Sequence, residues 1–154
     1  MSSETLILDN GCFNIKIGYA GSNSSKKAQM VRELGIRGGG WRLPKLFPNA
    51  IIKSKFDKKR VYIADEIEQL SDKTSLYFSL PIERGYLVNW DTQLQIWNKL
   101  FGNDNLNVDY KNSRIILTDP SDISRAFSED NTEEIIFENY CFHSLIRTSV
   151  VYRW

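Results

Sequence analysis

The chain has 154 residues, of which 42% are apolar and 25% charged, with a formal net charge of +1. That length suffices for one compact domain with a real core, and the composition excludes wholesale disorder. The near-zero charge excludes binding to nucleic acid by bulk attraction.

Thr5 to Asp9 reads as a short apolar strand. Asn10-Gly11 follows, a pair that tolerates positive φ and predicts a two-residue hairpin turn. From Phe13 to Tyr19 apolar and polar residues alternate, a period of two that places Phe13, Ile15, Ile17 and Tyr19 on one strand face. Residues 20–45 change character, with Gly-Ser-Asn-Ser-Ser, Lys26-Lys27 and Gly38-Gly39-Gly40, and predict a flexible loop over 22–45. The glycine triplet lacks the strand before it and the helix after it that a phosphate loop requires.

Leu46–Lys53 and Arg60–Ile63 predict two strands around a charged turn. The cluster Lys53, Lys55, Lys58, Lys59 and Arg60 suits a solvated hairpin tip or, alternatively, a face for an anionic partner. Asp65–Leu70 suits a short helix. Asp91–Phe101 is the clearest helix, with Asp91 as its expected N-cap and Gly102 as its stop. Leu94, Trp97, Leu100 and Phe101 make its apolar stripe. Arg114–Thr118 predicts a buried strand, Thr132–Tyr140 a helix with the capping pair Asn131 and Glu134, and Phe142–Val151 a last strand. Trp41, Tyr86, Trp90 and Trp97 are expected mostly in the core. This order of elements implies an α/β fold, a mixed sheet flanked by helices.

Cys12 and Cys141 lie far apart without CxxC spacing, which points to free thiols in a reducing compartment. No basic stretch followed by a long apolar run opens the sequence, and no apolar run approaches the roughly 20 residues that cross a bilayer. The chain is therefore expected to be soluble and intracellular. His143 is the one histidine, and HExxH, GxSxG and GxxxxGK[ST] are all absent, so no catalytic residues are predicted and no enzyme activity is expected.

One candidate site remains, at the opening hairpin. An acidic residue ending a strand, Asp9, can hold a hydrated divalent cation through water. The backbone N–H groups after it, at Asn10, Gly11, Cys12 and Phe13, can point at phosphate oxygens, and Lys16 can reach the same oxygens as a point charge. A routine turn would use the same Asp-Asn-Gly.

Three segments bear a resemblance that weighs on this choice. LILDNGCFNIKIGYAG (6–21) resembles the first phosphate-binding hairpin of the actin family, and VYIADEIEQL (61–70) its Tyr-x-Gly-Asp-Glu-Ala stretch. SLPIERGYLVNWDTQLQIWNKLF (79–101) resembles its Tyr-Pro-Ile-x-x-Gly…Asn-Trp-Asp…Trp signature, and RIILTDPSD and EIIFENY follow in the family's order. Gly85-Tyr86-Leu87-Val88 differs from conventional actin and, with Phe137 to Phe142, resembles a nuclear actin-related branch.

The resemblance implies the first half of an actin-like, ribonuclease H-like fold, whose two related halves clamp ATP with Mg or Ca. It also implies nuclear work, with a cytoplasmic pool, as a non-catalytic subunit of a Swr-type chromatin remodeller that exchanges a variant histone. Its expected partners are remodelling-complex subunits and histones, with no direct nucleic acid and no membrane. The same family also contains ATP-hydrolysing cytoskeletal filament formers, which need a water-positioning glutamine near the place where Ser149 stands. Family members are considerably longer, and TSVVYRW does not match their continuation, so a fragment or a truncated, inactive relative is a further expectation. Cys12 stands in place of a serine and Phe13 in place of a glycine. These departures remove a hydroxyl donor and add bulk where backbone would approach phosphate.

Overall fold

The computed structural model describes residues 4–20, 45–55, 60–70, 76–119 and 131–149. In chain order these form β1 (Glu4–Asn10), β2 (Asn14–Ala20), β3 (Lys45–Pro48), β4 (Ile51–Ser54), β5 (Val61–Ile63), β6 (Leu76–Ser79), β7 (Ile82–Glu83), β8 (Tyr86–Leu87), α1 (Trp90–Phe101), β9 (Ser113–Asp119) and β10 (Ser144–Ser149). The loop expected over 22–45 lies outside the described residues apart from Lys45, which opens β3.

Strand alternation builds the main sheet, in the order β10-β9-β1-β2-β3. β1 pairs antiparallel with β2 and parallel with β9, and β10 runs parallel to β9, so the sheet is mixed as expected. Leu6, Leu8, Ile15, Ile17, Ile115 and Leu117 alternate onto one face and join Ile96, Trp97, Leu100 and Phe101 of α1 in one core. Each large side chain so buried contributes about 1.5–3 kcal/mol. Ile135 and Ile136, in a helical segment over 131–139 whose last part, Ile135–Asn139, is a π-turn, and Tyr140 and Phe142 just after it complete the core. Asn131 is already helical, so the cap of this segment falls outside the described residues. The opposite sheet face carries Ile7, Ile116 and Ile146 in one row, with Ile146 57% exposed.

Several local expectations are corrected. The first turn is not a two-residue Asn-Gly turn: Asn10 still pairs, with Ile15, and neither Asn10 nor Gly11 has positive φ. Glycine is needed at 11 for room, since a Cβ there would stand 2.7 Å from the Asn14 carbonyl oxygen. A two-residue turn with both φ positive occurs instead between β7 and β8, at Arg84 (52°) and Gly85 (87°). The single strand expected over 46–53 is two strands in different sheets. Pro48 offers no N–H to a ladder, and the Asn49 main-chain N–H donates to Phe13 O at 2.8 Å, turning the chain out of the main sheet. β4 then centres a small antiparallel sheet, β5-β4-β6, over Ala50, Ile52 and Ile67.

The helix expected over 65–70 is one 3-10 turn, Ala64–Ile67. α1 begins earlier than expected, because Asn89 caps it: its Oδ1 accepts from Thr92 N at 3.0 Å. Asp91 sits inside the first turn, where its charge suits the helix dipole. Trp97 is fully buried and Trp90 packs edge-on against it, whereas Tyr86 is exposed on the short β7–β8 hairpin. His143 is also exposed.

α1 is tied to the 3-10 turn by Lys99 Nζ and Glu66 Oε1 at 3.0 Å. The Ile63 main-chain N–H donates to Glu66 Oε2, also at 3.0 Å. That backbone bond is the largest influence; burial opposes it, and the Lys99 hydrogen bond and charge add to it, so that the Glu66 carboxyl is held below its ordinary 4.5. A carboxylate whose pKa is lowered on folding stabilises above its unfolded value and loses that contribution as pH falls through the folded value. Melting temperature measured against pH should therefore decline below 4.5, and Glu66→Gln should flatten that decline. Trp97→Ala, which empties the centre of the core, should cost about 3–5 kcal/mol in urea unfolding.

Candidate functional site

The strand period sends consecutive residues of β1 to opposite faces, so Asp9 and Asn10 do different work. Asp9 lies on the open face, between its register partners Lys16 on β2 and Thr118 on β9. The Thr118 hydroxyl donates to Asp9 Oδ1 at 2.7 Å, and Lys16 Nζ stands 3.2 Å from Oδ2. The ion pair is exposed, so it contributes little to stability and leaves Lys16 able to swing to another anion. These groups gather where the parallel strands β1 and β9 end, the edge at which open α/β sheets bind ligands.

Asn10 points inward and is buried. Its Nδ2 donates to Gln93 Oε1 at 3.1 Å, and Trp97 Nε1 donates to its Oδ1 at 3.4 Å. Gln93 Nε2 donates to Asn49 Oδ1 at 3.2 Å, and Asn49 Nδ2 donates to the Gly11 carbonyl at 2.8 Å. The turn is thus fixed from behind by a chain of amides, with Gln93 and Asn49 fully buried.

In front, the main-chain N–H groups of Gly11, Cys12 and Phe13 find no acceptor among the described residues. Cys12 is a half-buried free thiol, and the Phe13 ring stands 77% exposed at the tip. Three consecutive free donors beside an exposed lysine and a partly exposed carboxylate fit an anion that carries a hydrated cation. Asp9 is placed to meet that cation's water, and among the described residues no three His, Cys, Asp or Glu converge to hold a metal directly.

The family model for actin matches residues 1–151. The chain belongs to the actin family. An actin-like protein of Caenorhabditis elegans is 44% identical over 149 residues, covering 97% of this chain and 30% of its own length. Actin-related protein 6 of Drosophila melanogaster is 29% identical over 97% of this chain and 32% of its own length. The actin-like protein ARP6 of Cryptococcus neoformans is 32% identical over 92% of this chain and 25% of its own length. The chain therefore spans about a third or less of these curated relatives.

Three residues that set the position of the hairpin escaped the sequence reading. Thr118 was hidden because only the β1–β9 register brings it to Asp9. Gln93 left a signal: a polar residue four before Trp97 lies on the apolar stripe of α1. Asn49, inside what reads as a continuous strand, left none beyond the Pro-Asn pair. Gln93→Leu should destabilise the fold by about 1–3 kcal/mol for each amide group left unpaired, and chemical denaturation measures this. Amide exchange at Asn49, whose main-chain N–H bonds the Phe13 carbonyl, should accelerate in the same variant, because the turn loses its rear support.

Proposed function

We propose that the chain works as part of a non-catalytic actin-related subunit of a Swr-type chromatin remodelling complex, supporting histone variant exchange in the nucleus with a cytoplasmic pool. The observation that carries this reading is similarity over 92–97% of the chain to proteins named actin-related protein 6 or ARP6. The Gly85 to Asp91 stretch supports it from within the sequence. Other subunits of the complex and histones are the partners this reading requires.

The non-catalytic role is supported by a sequence with one histidine and no recognised nucleophile–base spacing. ATP with Mg or Ca, when bound, would supply phosphate oxygens and a hydrated cation. Toward such a group the Gly11, Cys12 and Phe13 amides and Lys16 would hold the oxygens, and Asp9 would orient the cation's water.

The test is affinity purification of the tagged chain from its native cells, with mass spectrometry of the nuclear fraction. Remodeller subunits and a variant histone should co-purify. Recovery of no nuclear partner, together with ATP-dependent sedimentation as filaments, would instead assign the chain to the cytoskeletal members of the family.

A further inference from the structure

β6 is the outer strand of the small sheet, and among the described residues its far edge pairs with nothing. Unpaired strand edges offer N–H and C=O groups to any extended chain that can lie beside them. Here both sides of the edge are aromatic. Tyr77 is 62% exposed on the face it shares with Lys53 and Val61, and Phe78 is 60% exposed on the other. Lys55 Nζ lies 4.9 Å from the Tyr77 ring centroid. That contact brings the ammonium off its own segment and onto the outer strand. Lys53 and Lys55 are both exposed, and neither meets a carboxylate among the described residues.

The geometry points to β6 as a docking edge for an extended segment of another protein in which acidic and apolar residues alternate. A strand added beside β6 places one of its residues opposite Tyr77, with Cβ atoms about 4.5–5.5 Å apart, on the face where Lys55 holds its charge. An acidic residue fits there. The residue opposite Phe78 lies on the other face, where an apolar side chain covers the exposed ring. A second copy of this chain is a poor occupant, since pairing β6 with itself would bring two Lys55 ammonium groups together. The charge that repels a copy attracts an acidic strand. A nucleic acid would use the lysines and the rings but not the strand edge, and the net charge of +1 gives it no long-range attraction.

The inference stands apart from the nucleotide-facing hairpin and is tested without it. The probe is a fluorescein-labelled decapeptide of alternating Glu and Val, titrated against the full chain by fluorescence anisotropy. Saturable binding should weaken about tenfold in Lys55→Glu and in Phe78→Ser, and should fall with added salt. The same peptide N-methylated at alternate residues should lose binding to the unaltered chain, a readout that needs no protein variant to fold. Amide exchange at 76–79 should slow in the complex. Absence of saturable binding, equal binding by the N-methylated peptide, an effect of Lys55→Glu below about twofold, or displacement by a thymidine oligonucleotide of equal affinity would each overturn the inference.

Discussion

The Gln93 side chain, wholly buried on α1, accepts a hydrogen bond from Asn10 and donates one to Asn49. Through those two residues it holds the end of β1, the hairpin turn and the corner between β3 and β4 in one arrangement. A buried amide without partners carries a large desolvation cost, so these three side chains fit together in very few ways. Apolar packing between the main sheet and α1 supplies most of the stability. It does not by itself fix the turn to a fraction of an ångström, because aliphatic contacts are non-directional. The directional amide bonds do that.

The consequence is a strand with two separate tasks. Asn10 anchors the turn to the core, and Asp9, one residue earlier, faces outward among Thr118, Lys16 and the free amides of the turn. Substitutions on the outer side of the turn, such as Cys12 and Phe13 at positions where actin carries other residues, leave this rear anchorage in place. An actin-family hairpin can therefore keep its shape while its ligand contacts change.

Much of the fold was legible in the sequence. The alternation through Ile15 and Ile17, the stripe of α1 and the apolar run of β9 each rest on a local period, and each element formed there, except that Phe13, expected on the same face as Ile15, falls outside β2 and is exposed at the turn. What was not legible depends on distant partners. The two-residue turn at Asn10-Gly11 was displaced because Asn10 found better hydrogen bonds in the core than in a tight turn. The cap of α1 moved to Asn89 because Asp91, though equally able to cap, is already helical. The break at Pro48-Asn49 followed from a backbone bond to Phe13, a residue 36 positions away in a numbering no local pattern connects. At the site, Asp9, Gly11 and Lys16 could be named from their motif, whereas Thr118 required the parallel register.

Asn49 also belongs to two structures at once. Its main chain and its side chain both bond the hairpin turn, and one residue later the chain is committed to the small sheet through Ala50 and β4. The small sheet consequently has its mechanical pivot at the turn. A force that tilts β4 and its neighbours acts on the Gly11 and Phe13 carbonyls through a lever with almost no slack, and a shift of the turn is felt in the sheet by the same short arm.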